Sequence, residues 1–394
     1  FYELCDRYCL DVIDETNLET HGSGLRNGKK DIIEETLPND HEEWQNIILD
    51  RAKSMFERDK NHAAILIWSC GNESCGGKDL YVMSEYFRQA DPTRLVHYEN
   101  IFWDRRYNGT SDMESQMYPT VASIKKFLAE HRDKPFICCE YTHAMGNSIG
   151  GMHKYTDLTD EEPLYQGGFI WDFVDQAIWH KDRYGKDALA YGGDFGDRPN
   201  DGNFSGDGIL FADRKLTTKM QEVKFNYQNF DLDVTAEKIT IHNKSLFTDV
   251  AAYALHLELM LDGKVIWESS SDAPHILPGE TGTVALDDLP LTNAGEETVT
   301  ASLRLKEDTL WAKKGFEIAF GQGTWQVDEV EVPEPKEAVA ATDFAKAERH
   351  FHYKHNMPLE TQPAKPLHIV HGDINLLSLI QIGRCRRLVE VRSR

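Results

Sequence analysis

Short, almost wholly apolar segments alternate with amphipathic stretches between residues 10 and 180, and they constrain the fold more than any other feature. Segments such as AAILIWSC (63–70) and PFICCEY (135–141) have too few polar residues for a strand with one face in water. Near-continuous apolar strands separated by helices are typical of a parallel sheet covered on both faces. The sequence therefore predicts an α/β fold.

Polar or ionisable side chains stand at the end of almost every one of these segments. They are Glu19 and His21, Asn72 and Glu73, His97 and Glu99, Glu140 and His143, and Asp172 and Asp175. In a TIM barrel the C-terminal ends of the strands converge on one mouth, where several strands contribute catalytic groups. A doubly wound sheet would gather them at one switch point, often beside a phosphate loop, but GNESCGGK (71–78) matches neither phosphate-loop pattern. We therefore predict a (β/α)8 barrel over residues 1–222, whose N-terminal strands lie upstream.

The helices between these strands are predicted from the 3.6-residue spacing of apolar positions. A helix is expected within residues 39–61, with Asn39 or Asp40 as its N-cap. Its buried face should consist of Trp44, Ile47, Ile48, Ala52 and Met55. Further helices are expected within 79–92, where Pro92 ends the pattern, and within 120–132.

The apolar period changes to two near residue 225. Segments 230–245, 253–270 and 297–308 alternate apolar and polar residues, and Asp262-Gly263 is a strong hairpin signal. We predict an immunoglobulin-like β-sandwich over residues 223–328, followed by an acidic linker over 329–345. Residues 346–394 are interpreted as the start of a C-terminal β-sandwich region whose Arg-rich tail is truncated or frameshifted.

Charge and cysteine content exclude several classes of protein. The net charge of −23 argues against binding to nucleic acids or anionic membranes. No apolar run approaches the roughly 18 residues that cross a bilayer. None of the seven cysteines forms a CxxC pair, which favours free thiols in a reducing cytoplasm over disulfides or a zinc site. We therefore expect a cytoplasmic protein.

Two carboxylates are the strongest candidates for catalysis. Glu73 and Glu140 each follow a segment that is apolar on both faces, and burial there raises a carboxyl pKa unless a charge or donor compensates. A facing pair would act as proton donor and nucleophile, as in a retaining glycosidase. For either residue alone, a salt bridge at the barrel rim is an equally good interpretation.

A metal site and a sugar platform are weaker hypotheses. Glu19 and His21 are two apart on an expected strand, so their side chains would project to the same side and bind a divalent cation. A hydrogen bond between the two is the simpler alternative. Aromatic residues suited to stacking on a sugar, although core packing is their commoner use, are Trp171, Trp103, Tyr118 and Phe204.

Six motifs, in order along residues 1 to about 325, closely resemble glycoside hydrolase family 2, and within it the lac-type β-galactosidases. The motifs are DETNLETHG, ILIWSCGNES, DPTRLVHYEN, PFICCEYTHAMGNSIGG, QGGFIWDFVDQ and the loop YGGDFGDRPNDGNFSGDGILFADR (191–214). The resemblance implies that terminal β-D-galactose residues, as in lactose, are hydrolysed by a retaining double displacement, with transgalactosylation to sugar acceptors.

The resemblance also implies roles for matching residues. Glu73 would be the general acid/base, Glu140 the nucleophile and Tyr118 the hydrogen-bond donor to Glu140. Asn72, His143 and Met117 would bind galactose, and Trp171, followed by an expected cis peptide bond, would form the platform beneath the sugar. The cofactor ligands would be Glu19, His21 and Glu73 for magnesium, and Phe204 (through its carbonyl) and Asp207 for sodium. The best-known member has Asn in place of Asp207, so the added charge should alter sodium dependence.

Two alternatives remain open. One is another family 2 exo-glycosidase, a β-glucuronidase or β-mannosidase. The other is an inactive fragment or non-catalytic subunit, because an incomplete barrel exposes strand edges and should fold poorly alone. The resemblance implies an oligomer, and in some bacterial members a separate small subunit supplies the C-terminal β-sandwich. This chain would then be part of a large subunit.

Overall fold

The computed structural model of the chain describes residues 1–26, 29–30, 35–99, 101–290 and 294–327. The predicted linker (329–345) and C-terminal region (346–394) lie outside these residues. The described α-helices are α1 (Tyr2–Tyr8), α2 (His21–Gly24), α3 (Glu42–Asp59), α4 (Gly77–Ala90), α5 (Val121–Glu130), α6 (His153–Glu161) and α7 (Lys219–Asn226), and 3-10 helices span Arg105–Thr110 and Val250–Ala252. Among the described residues, no helix has the length and apolarity of a membrane span.

The N-terminal region contains two parallel sheets. Its strands are β1 (Val12–Glu15), β2 (Leu25–Arg26), β3 (Lys29–Lys30), β4 (Ile65–Ser69), β5 (Leu95–His97), β6 (Glu114–Met117), β7 (Phe136–Tyr141), β8 (Tyr165–Ile170), β9 (Ile178–Lys181) and β10 (Asp187–Ala190). One sheet has the order β1-β4-β5 and the other β6-β7-β8, while β2–β3 and β9–β10 are antiparallel pairs. The predicted parallel α/β sheet is confirmed, but the described strands do not close into a ring.

Asp112 joins the two parallel sheets. Its carboxylate accepts the N–H of Val96 on β5 at 2.7 Å, and its own N–H donates to the carbonyl of Val96 at 2.8 Å. Through this contact the two three-stranded parallel sheets, β1-β4-β5 and β6-β7-β8, follow one another in chain order. This placement brings the two candidate carboxylates into one region.

Helices α3 and α4 cover the outer face of the first sheet. Trp68 of β4 is fully buried, with its ring centroid 5.3 Å from that of Phe56 on α3 and 5.9 Å from that of Phe87 on α4. The buried face of α3 differs from the prediction, since Trp44 is 38% exposed and Ile47 48% exposed. The buried face includes Phe56 instead, because α3 packs against α4 and Phe56 contacts Trp68 of β4.

The predicted N-cap of α3 was wrong. His41 occupies that position, and its side chain makes no capping hydrogen bond to the helix. Asp40 instead accepts the N–H of Lys78 at 2.7 Å, in the first turn of α4, and pairs with Arg106. The same carboxylate that would cap its own helix therefore satisfies an N–H group of a neighbouring one.

Strand β6 was not predicted from the sequence, because ESQM lacks the apolar pattern of the other strands. Glu114 is buried but forms a two-fold ion pair with Arg105, with both N–O distances 2.7 Å. Ser115 is buried against His97, whose Nε2 lies 2.8 Å from the serine hydroxyl. Tertiary partners thus make a polar segment acceptable inside the sheet.

The C-terminal region consists of two antiparallel sheets around a shared core. Its strands are β11 (Phe230–Val234), β12 (Lys238–Asn243), β13 (Tyr253–Leu261), β14 (Lys264–Asp272), β15 (Thr281–Ala285), β16 (Gly295–Leu305) and β17 (Glu317–Val327). The sheet orders are β11-β12-β15 and β14-β13-β16-β17. Ile239 and Ile241 of the first sheet and Leu259 and Val299 of the second are all fully buried in one cluster.

Turn and packing residues fit this arrangement. Asp262 and Gly263 both have positive φ (50° and 76°), as expected for a tight hairpin between β13 and β14. A Cβ at Gly321 on β17 would lie 1.9 Å from the carbonyl oxygen of Leu232 on β11. The close approach of these strands therefore requires glycine at this position.

Candidate active site

Glu73 lies in the loop after β4, next to the segment that follows β1. The N–H of Asn72 donates to the carbonyl of Leu18 at 2.9 Å, and Asn72 forms a single parallel bridge with Glu19. Glu73 itself has a left-handed backbone with φ of 41°. These contacts direct its carboxylate toward Glu19 and His21, more than 50 residues earlier in the chain.

Glu19, His21 and Glu73 form the metal-binding candidate of the described residues. One ligand atom from each lies within 4.8 Å of the other two, and Nδ1 of His21 contacts the Glu73 carboxylate. The expectation that Glu19 and His21 share a strand was wrong, because Glu19 lies in a single bridge and His21 begins α2. The residues nevertheless converge, and two carboxylates with an imidazole suit a divalent cation.

Glu140 lies near the end of β7 and contacts Tyr118 twice. The Tyr118 hydroxyl donates to the Glu140 carboxylate, and the Tyr118 N–H donates to the Glu140 carbonyl at 2.8 Å. Met117, the last residue of β6, is the register partner of Glu140. Burial raises the pKa of Glu140, Tyr118 opposes this shift, and the negative charge of Glu73 adds to it. The charge of Glu73 therefore acts on the Glu140 carboxyl electrostatically.

Two predicted sugar-binding residues flank these carboxylates. The side-chain amide of Asn72 donates to Glu19 at 2.9 Å. The ring of His143 lies 5.7 Å from that of Tyr118 and 6.0 Å from that of Phe204, measured between centroids. His143 and Phe204 are thus brought to the Glu140 side of the site.

Trp171 follows β8, and its peptide bond to Asp172 is cis, as expected. Its carbonyl accepts the N–H of Ala144 at 2.6 Å, and its indole N–H donates to Asp207 at 3.0 Å. Asp207 is 1% exposed, and its Oδ1 has no hydrogen-bond partner in the described part of the chain. Burial raises the pKa of Asp207. An unpaired buried carboxylate oxygen is a suitable ligand for a cation.

Trp103, another aromatic residue predicted to suit stacking on a sugar, packs with Phe102 at 4.9 Å between ring centroids.

The structure also reveals residues to which the sequence assigned no role. Oε1 of buried Glu99 accepts the N–H of Glu73 at 2.5 Å, and burial raises the pKa of Glu99 well above its usual value. Beneath the site, Ser69 lies 2.8 Å from Glu15 and 2.9 Å from Nδ1 of His97. The sequence did show polar residues at the ends of the predicted strands, Glu99 and His97 among them. It did not indicate which residues they contact.

Residues 1–232 match the family model for the TIM barrel domain of glycosyl hydrolases family 2, and residues 239–326 match that for domain 4 of β-galactosidase. A β-galactosidase of Halalkalibacterium halodurans is 51% identical over 335 residues, covering 84% of this chain and 33% of the relative. One of Clostridium acetobutylicum is 50% identical over 327 residues, covering 82% and 36%. A β-galactosidase large subunit of Latilactobacillus sakei is 51% identical over 231 residues, covering 58% and 36%. The chain spans about a third of the length of these curated relatives.

Proposed function

Because this chain belongs to glycosyl hydrolase family 2, we propose that it carries catalytic residues of a retaining β-galactosidase. The protein that contains it would release terminal, non-reducing β-D-galactose from β-galactosides such as lactose. The observation that carries this proposal is the pair of carboxylates at the ends of β4 and β7, one bound by a tyrosine hydroxyl and the other beside a metal-binding cluster.

In the first step, Glu140 attacks the anomeric carbon and forms a galactosyl-enzyme ester. Glu73 protonates the glycosidic oxygen as that bond breaks, so that the leaving group departs as an alcohol. The Tyr118 hydroxyl suits this step because its hydrogen bond favours the ionised Glu140 and fixes its orientation.

In the second step, Glu73 removes a proton from water, and the water oxygen attacks the anomeric carbon and displaces Glu140. Two inversions at one carbon retain the β configuration. A sugar hydroxyl in place of water would give transgalactosylation. Asn72, His143 and Met117 would contact galactose hydroxyls and edges, and Trp171 would offer its ring face.

Glu19, His21 and Glu73 would hold magnesium, and a bound cation there would favour the ionised form of the Glu73 carboxyl. Asp207, with its unpaired Oδ1, and the carbonyl of Phe204 would hold sodium close to Trp171. The charge of Asp207 neutralises a monovalent cation more fully than an amide would.

The finer organisation is part of the proposal. Residues 1–222 would belong to the catalytic barrel and residues 223–328 to an immunoglobulin-like sandwich, in a cytoplasmic enzyme. The name of the L. sakei relative, a large subunit, supports an assembly with a second chain. That chain would supply a C-terminal β-sandwich.

The test uses the full-length protein that contains this chain, assayed on a panel of nitrophenyl β-glycosides. Hydrolysis of the galactoside, with Glu140→Gln at background, is the expected result. Near-wild-type turnover by Glu140→Gln would remove Glu140 as nucleophile. Preference for the glucuronide or mannoside would favour another exo-glycosidase of the family, and no turnover of any glycoside would favour a non-catalytic subunit.

A further inference from the structure

The loop that carries Glu73 has a backbone that needs external support. Gly71 has φ of 142° and Glu73 φ of 41°, so two of three consecutive residues lie outside the conformations that L-residues prefer. Such conformations persist where surrounding groups hold them, and they cluster at active sites. The contacts that hold this loop therefore decide where the Glu73 carboxylate points.

Two adjacent residues just after β5 hold the loop from the opposite side to Leu18. The hydroxyl of Tyr98 donates to the carbonyl of Ser74, and the carboxyl of Glu99 accepts the N–H of Glu73 at 2.5 Å. Both side chains are 1% exposed. Residues 98–99 thus hold the N–H of Glu73 and the carbonyl of Ser74, the peptide groups that bound these two residues on either side.

The cost of burying Glu99 points to a functional role. In the described part of the chain, its second oxygen, Oε2, is buried without a hydrogen-bond partner. Among the described residues, this carboxyl group accepts one hydrogen bond and leaves its other oxygen unsatisfied, an arrangement that contributes little to stability by itself. The donor of that hydrogen bond is the peptide N–H of Glu73, the residue whose orientation matters most for proton transfer.

We propose that Glu99, assisted by Tyr98, is a positioning residue that keeps the acid/base Glu73 aimed at the glycosidic oxygen. In this role Glu99 acts through the backbone of Glu73, whose N–H it accepts, rather than through contact with substrate. This inference rests on the proposed function, in which Glu73 donates the proton.

Leaving-group dependence separates misplaced acid catalysis from simple loss of folded protein. Substrates with poor leaving groups need the proton from Glu73, whereas an activated aryl galactoside needs it far less. A smaller folded fraction would lower the turnover of both by the same factor. The test compares Glu99→Gln, Glu99→Leu and Tyr98→Phe in the full-length protein, on lactose and on dinitrophenyl galactoside.

Glu99→Gln keeps an oxygen acceptor for the Glu73 N–H, so it should retain the wild-type ratio of the two kcat/KM values. Glu99→Leu removes the acceptor and should lower kcat/KM for lactose about 100-fold, but that for the aryl galactoside less than about tenfold. In Glu99→Leu, azide should partly restore turnover of the aryl substrate. Azide attacks the galactosyl-enzyme in place of water and does not need Glu73 as a base. If Glu99→Leu does not fold, Tyr98→Phe provides the same comparison with a smaller expected change.

Asp249→Leu is the matched control. Asp249 also accepts backbone N–H groups, from Ala251 at 2.9 Å and Ile276 at 3.0 Å, but it lies in the C-terminal region. It should leave the substrate ratio at the wild-type value. Equal loss on both substrates in Glu99→Leu, or the same ratio change in Glu99→Gln, would overturn the positioning role. Wild-type protein inactive on every galactoside would instead overturn the proposed function, and faster hydrogen exchange at the Glu73 amide in Glu99→Leu would then still support the backbone contact.

Discussion

Tyr118 and Glu140 are joined through both side chain and backbone: the tyrosine hydroxyl donates to the glutamate carboxylate, and the tyrosine N–H donates to the glutamate carbonyl at 2.8 Å. Tyr118 adopts a left-handed backbone with φ of 49° to make these contacts. The backbone hydrogen bond holds Tyr118 beside β7, so the Glu140 carboxylate has a hydrogen-bond donor in a fixed position. This pair is the clearest geometric support for Glu140 as nucleophile.

Replacement of Tyr118 by Phe should lower kcat by on the order of ten- to a hundredfold, the usual effect of losing a hydrogen bond to a charged group. The Tyr118 hydroxyl lowers the pKa of Glu140, so its loss should raise that pKa. The acidic limb of the kcat/KM profile should therefore move to higher pH. An unchanged acidic limb would show that the hydroxyl does not govern the ionisation of Glu140.

Chelation should lower activity, and added Mg2+ should restore it, because Glu19, His21 and Glu73 place three donor groups within 4.8 Å. His21→Ala should raise the Mg2+ concentration for half-maximal reactivation by at least about tenfold. Calorimetric titration with Mg2+ alone gives a readout that is independent of turnover. His256→Ala, on β13, is the control. Equal Mg2+ affinity in both variants would exclude His21 as a ligand.

Folding stability should fall as the solution is acidified from pH 6.5 toward pH 4. Burial lowers the pKa of His97 from 6.5 to about 4, so the unfolded chain binds the proton more readily than the folded one. The contribution of neutral His97 to the free energy of unfolding is fully present above pH 6.5. Acidification to below pH 4 removes about 3 kcal/mol of it at most. Urea unfolding of His97→Gln at pH 7.5 and 5.0 should show a smaller loss on acidification than wild type. The exposed His131→Gln should not differ from wild type.

Ile241→Ala should destabilise the C-terminal region by about 2–5 kcal/mol, because it opens a cavity between two sheets that share a core. Ile266 on β14 is 48% exposed and offers a control of the same residue type. Its replacement by Ala should cost less than about 1 kcal/mol. Equal midpoints for both variants in urea unfolding would contradict the shared core.

The local pattern of the sequence was sufficient for several features of the fold. The parallel strands around Trp68 and Phe136, the change to antiparallel strands after residue 225 and the hairpin at Asp262 depend on periods and turn residues within a few positions. The two carboxylates were found because each follows an apolar segment. Family membership followed from motifs that are contiguous in sequence.

Only the tertiary structure decided which of these residues meet. Helix α2 begins at His21, although no spacing of apolar residues indicated a helix there. The His21 side chain nevertheless contacts Glu73. Strand β6 is polar by sequence and is accepted in the sheet because Arg105 and His97 pair with its side chains. A bond such as Glu99 to Glu73 joins residues 26 positions apart. Such contacts depend on strand register and on the path of whole connecting helices, whereas residue spacing reports only neighbours along the chain.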